Sequence, residues 1–144
     1  MARFYFETAS GEAPPRGFGG ADDVLVYFLS FAFATRYGSQ HDLSKLALLL
    51  RGADFGIDLR PLLTFADRDV EEDADRAELE RVWQDAAPLA ATLGAVLAAL
   101  DGGDPRVDAL VAGTPGLRDR LADLLAMAEW AAARGERVRL TYEV

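Results

Sequence analysis

Polar and apolar residues alternate at both ends of the chain and recur at helical spacing between them. From Arg3 to Thr8, Phe4 and Phe6 point one way while Arg3, Tyr5 and Glu7 point the other, the pattern of a half-buried strand. Val138, Leu140, Tyr142 and Val144 repeat that pattern against Arg137, Arg139, Thr141 and Glu143. The two strands are expected to pair with each other, or to join a sheet across a homodimer, since two short strands are marginal alone and a final strand leaves an edge.

Between them the pattern becomes helical. Ser10 to Gly20 is rich in Gly and Pro and reads as a loop. Asp22 is placed to cap a helix over Val24–Tyr37 that ends at Gly38, with Val24, Leu25, Tyr27, Phe28, Leu29, Phe31 and Phe33 apolar nearly all round. Such a helix is usually the buried centre of a bundle. Ser39 with Asp42 reads as a capping box opening a helix with Leu43, Leu46, Ala47 and Leu50 on one face, stopped by Gly52. Residues 54–67 read as irregular, with a turn of helix after Pro61.

Asp69 with Glu72 reads as a second box. The stripe Leu79, Val82, Trp83, Ala86, Ala90, Leu93, Leu97 and Leu100 follows, with Pro88 predicting a kink or two consecutive helices. Asp104-Pro105 opens a short helix. Thr114-Pro115 opens a longer one that buries Leu117, Leu121, Leu124, Leu125 and Ala128 and closes at Gly135. The expected architecture is α+β and mostly α: one domain over 1–144, five or six packed helices, and a small sheet from the two terminal strands.

Composition narrows what this domain does. At 144 residues the chain is long enough to bury a full core, and with 51% hydrophobic and 27% charged residues it is an ordinary globular composition. It has no cysteine, which removes disulfides, thiolate metal sites and cysteine nucleophiles. No signal-peptide pattern is visible, and Val24–Ala34 is too short to span a bilayer, so a cytoplasmic location is expected. A net charge of −9 disfavours phosphate backbones and anionic lipid, so neither nucleic acid nor membrane is expected as a partner.

The densest chemical feature is the run 67–80, with eight acidic residues against Arg68 and Arg76. In a continuous helix Glu71, Asp75 and Glu78 would share a face, joined at its start by Asp69 and Glu72, and such a face suits a hard cation or a basic protein. The run lacks a calcium-loop order, and acids in a first helical turn also simply suit the helix dipole. His41 is the sole histidine, without the spacing of a zinc or di-iron motif. Gly17-Phe18-Gly19-Gly20 precedes a helix but lacks a phosphate-loop pattern, and Asp22 and Asp23 follow it. Arg51, Asp54, Asp58 and Arg60 form a mixed-charge loop that exposed ion pairs explain equally well.

These features converge on a non-enzymatic interaction or regulatory protein whose acidic face, through Asp69, Glu71, Glu72, Asp75 and Glu78, meets a basic protein partner. The alternative is a small-molecule binder or enzyme with an apolar cavity beside the aromatic helix, at Tyr27, Phe31 and Tyr37. Neither cofactor nor metal ion is implied by the residue pattern.

Overall fold

The computed structural model describes residues 2–34 and 40–144. Among them the order of elements is β1 (Arg3–Thr8), α1 (Asp23–Phe33), α2 (Asp42–Arg51), β2 (Phe65–Asp67), α3 (Asp73–Arg81), β3 (Gln84–Asp85), α4 (Ala86–Leu100), α5 (Pro105–Val111), α6 (Leu117–Ala133) and β4 (Arg137–Glu143). The fold is α+β and mostly α, as the sequence pattern predicts.

The terminal strands pair directly and antiparallel, with Arg3 opposite Glu143, Tyr5 opposite Thr141 and Glu7 opposite Arg139. The sheet does not stop there. β2 runs parallel to β4 on its other side, Phe65 opposite Leu140 and Asp67 opposite Tyr142, while β3 pairs antiparallel with the start of β4. β4 is thus the central strand, and the edge expected to remain on it for a second copy is occupied by β2 and β3. Strands of three and two residues are too short to carry an alternation, which is why residues 54–67 read as irregular.

One face of the sheet carries Phe4, Val138 and Leu140, all at most 2% exposed, and the helices cover it. Behind it α4 and α6 pack together through Leu89, Leu93 and Val96 on one side and Leu117, Leu121 and Leu124 on the other. The opposite face is polar, with Arg139 donating to the Leu79 carbonyl of α3 at 3.4 Å and lying 4.5 Å over the Trp83 ring.

Several helix ends differ from the sequence reading. The stripe that runs through Leu79, Val82 and Ala86 keeps helical period, yet the chain breaks at Val82–Asp85 to form β3. Pro88 lies beyond the break in the first turn of α4, where a missing N–H costs no hydrogen bond. The second box forms three residues later than expected: Asp75 reaches back to the Glu72 N–H at 3.0 Å. α2 is capped by His41, whose Nδ1 accepts from the Leu43 N–H at 3.1 Å, and Ser39 lies outside the described residues.

α1 is described as far as Phe33 and is not buried all round, since Tyr27 is 46% and Phe33 38% exposed. By contrast, α6 ends as expected. Gly135 takes φ +66°, the Glu136 N–H returns to the Ala131 carbonyl and the Gly135 N–H to the Ala132 carbonyl, which turns the chain into β4.

Because Leu140 is fully buried at the centre of the sheet, Leu140→Ala is expected to lower unfolding free energy by about 3 kcal/mol. Leu48→Ala, at a position 51% exposed on α2, is expected to change it by less than about 0.5 kcal/mol. Urea unfolding of both variants checks the contrast, and equal effects would contradict the placement of the core.

Candidate functional site

A cleft opens where α1 ends against the outer edge of β2. Its location follows from local bonding. After Pro61 the chain makes a turn, in which Leu63 donates to the Leu59 carbonyl and the Thr64 hydroxyl to the Arg60 carbonyl. The Gln84 side chain then ties the approach to β2 by donating to the Pro61 carbonyl at 2.9 Å. Arg68 closes the far end with an N–H bond to the Tyr142 carbonyl at 2.8 Å. Those anchors present Phe65 and Asp67 beside the end of α1.

The cleft has a volume of about 610 Å³. Its apolar surface is a chain of edge-to-face rings: Phe33 stands 6.2 Å from Phe65, and Phe65 stands 5.8 Å from Tyr142. Leu63 and Val82 extend it, and Asp67, Glu78 and Arg81 supply charge. Glu78 is paired to Arg81 at 2.9 Å. Asp67 accepts the Asp69 N–H at 2.9 Å through one oxygen, and its charge, together with burial as the larger cause, pushes the Tyr142 phenol above its ordinary 10.0. The result is an aromatic surface with carboxylates at its border.

The acidic face expected over 67–80 is only partly assembled. Helix α3 begins at Asp73, so Asp69, Glu71 and Glu72 lie ahead of it, and Glu71 does not join Asp75 and Glu78 on one helical stripe. The Asp75 carboxylate accepts from both the Glu71 and Glu72 N–H groups at 2.9 and 3.0 Å, which holds it below its ordinary 3.8 and commits it to the helix start. No residue of α3 is buried. Asp69, Glu71, Glu72 and Glu80 remain exposed; Asp69 adjoins Asp67 beside Arg68 and Glu143, and Glu80 lies 3.9 Å from Arg139 on the polar face of the sheet. Among the described residues no group of three or more His, Asp or Glu side chains is arranged to hold a metal ion.

The apolar site expected beside α1 is split in two by that helix. Tyr27 and Phe31 do come together, with Val24, His41, Leu43 and Pro115, around a smaller cleft of about 350 Å³. The His41 ring stacks on Phe31 at 3.7 Å and 6° while its Nδ1 caps α2, so the imidazole has a structural task here. Tyr37 lies outside the described residues. Phe33 turns to the opposite flank and lines the larger cleft with Phe65 and Tyr142, which the sequence reading did not join to it.

Other sequence features have local explanations. Gly19 donates to Asp123 Oδ2 at 3.0 Å, and Arg120 Nε lies 2.9 Å from the same oxygen as a charge contact rather than an aligned hydrogen bond. A Cβ on Gly20 would meet the Arg120 guanidinium, which would have to move aside. The mixed loop divides into two ion pairs, Asp58 with Arg60 at 2.7 Å and Asp54 with Arg106 at 2.8 Å.

A second polar group lies on the open face of the sheet. Glu7 accepts from the Thr141 hydroxyl at 2.7 Å and from Arg139 at 3.3 Å, and Thr141 is fully buried. Tyr5 donates to Glu143 and lies under the Arg68 guanidinium at 3.8 Å. Thr141, Arg139 and Glu143 are cross-strand neighbours on β4, so the arrangement ties β1 to β4, and Arg68 reaches across from the end of β2.

The chain matches no protein-family model, no curated protein and no solved structure. Its function therefore has to be argued from its own geometry.

Glu7 gives that geometry a titratable check. Burial raises its pKa, but the hydrogen bonds from Thr141 and Arg139 and the charges of Arg139 and Arg68 outweigh burial and leave it below its ordinary 4.5. A carboxyl depressed on folding contributes stability above its unfolded pKa, and loses it as pH falls through the folded one. Glu7→Gln is therefore expected to be less stable than the wild type at pH 7, with the gap narrowing below about pH 4.5. Urea unfolding of both proteins between pH 7 and 3 checks this; a gap independent of pH would contradict it.

Proposed function

We propose that this chain is a non-enzymatic binding module, and that a basic segment of a protein partner occupies the cleft beside β2. The observation that carries the reading is the placement of carboxylates at the border of an aromatic surface. Asp67 and Glu78 adjoin the Phe33–Phe65–Tyr142 chain, Asp69 stands beside Asp67, and the exposed acids Glu71 and Glu72 follow in the segment that leads to α3. Rings supply apolar contact area at little entropic cost, and acids select and steer cations. The chain's net charge of −9 adds a long-range field of the same sign.

A second reading has an observation of its own. The volume of about 610 Å³ falls within the range of small-molecule sites. Native mass spectrometry of protein purified gently from its own cells separates the two. A retained protein favours the first reading, and a small adduct favours the second.

With the recovered partner, association is expected to slow at least about tenfold as salt rises from roughly 50 to 500 mM. Asp69→Lys with Glu71→Lys is expected to slow association about threefold or more at low salt, with a smaller effect on dissociation. Asp75 is unsuitable for this purpose because it caps α3. Stopped-flow rates that respond to neither salt nor charge reversal would defeat the proposal.

A further inference from the structure

A chain lying in the cleft meets the edge of a strand. Arg68 gives its N–H to the Tyr142 carbonyl, so Arg68 and, two residues earlier, Ala66 turn their backbone groups toward β4. Phe65 and Asp67 turn theirs the opposite way. Among the described residues no strand pairs with that outer edge. The five consecutive residues 63–67 all line the cleft. It is therefore a trough along a strand edge, flanked by Ser30 and Phe33 of α1 and by Glu78 and Arg81 of α3 with Val82 just beyond it.

We propose that the cleft takes an extended segment of a basic protein as an added strand on the outer edge of β2. The inference deepens the protein-binding reading and rests on it. The N–H and C=O groups of Phe65 and Asp67 supply the main-chain hydrogen bonds, and the side chains beside them supply selectivity. In the register of β2 with β4, Phe65 shares a face with Leu140 and Asp67 with Tyr142. An added strand sets alternate side chains on that face. One lies against Phe33 and Phe65 and is apolar. The next on the same face, two positions along, lies against Asp67 and Tyr142 and is Arg or Lys, which pairs with the carboxylate and sits over the ring. Glu78 already holds Arg81 at 2.9 Å, so Asp67 carries the choice of charge.

Random decapeptides displayed on phage and selected on the full chain test this. They are expected to converge on an apolar residue followed two positions later by Arg or Lys. A selected peptide, made synthetically, is expected to slow amide hydrogen exchange at Phe65 and Asp67. N-methylation of its central amides is expected to weaken it at least about tenfold, the effect of two lost main-chain hydrogen bonds.

Asp67→Pro removes an outward N–H while leaving Ala66 paired to β4, as edge strands tolerate, and is expected to weaken the peptide to a similar degree. Asp67→Asn keeps the N–H, and its loss of affinity is expected to fall on peptides with Arg or Lys. The N-methylated peptides leave the protein unchanged, so the result does not depend on either variant folding. Peptides that protect the cleft but bind equally well when N-methylated overturn strand addition and leave the protein-binding reading standing. Selection of no peptide, or a cleft that native mass spectrometry shows filled by a small molecule or a second copy, also overturns strand addition. The broader reading falls separately, if charge and salt leave association with the recovered partner unchanged.

Discussion

The structure depends on β4 being shared by three other strands. Its Glu143, Thr141 and Arg139 face β1, while Tyr142, Leu140 and Val138 are bonded toward β2 and β3. β2 and β3 are short, and a two- or three-residue strand has almost no independent stability. What holds them is the buried row of Val138 and Leu140 against the helices. At roughly 25 cal/mol per Å² of apolar surface removed from water, that row outweighs the few hydrogen bonds of the short strands.

The cleft is a by-product of the same arrangement. β2 has only three residues, so it covers β4 without extending far enough to be covered itself. Phe65 and Tyr142 are brought into ring contact by strand pairing, and Phe33 joins them because α1 ends there. The charge beside them comes from a different cause. The segment between β2 and α3 turns sharply, and Asp67 and Asp75 hold those turns through backbone N–H groups. Some of the acids are therefore structural and others are exposed, and only geometry separates the two kinds.

This division marks how much was legible in the residues. Strands of six or seven residues with strict alternation were readable at both ends, and so were helix ends signalled by local chemistry, such as Asp104 before Pro105 and Gly135 after α6. Break points hidden inside a continuing period were not. Leu79, Val82 and Ala86 look like one stripe because β3 consumes too few residues to disturb the count. The run 67–80 announced its charge but not which carboxylates bend back to the chain. Tyr27 and Phe31 lie on one flank of α1 at helical spacing, whereas Phe33, Phe65 and Tyr142 meet only through tertiary folding. No local pattern connects residues so far apart in sequence.

The place of β4 in the chain order has a kinetic consequence. The central strand follows all three of its neighbours in the chain, so a growing chain exposes β1 and β2 without their partner until residues 137–143 emerge. Loop closure over this distance must precede any gain from pairing, and such topologies fold more slowly than local ones. α4 and α6, by contrast, are both complete before β4. During that interval Phe4, Phe6 and Phe65 are apolar strand residues open to wrong partners. The length of that exposure follows from the number of residues that separate β1 and β2 from β4.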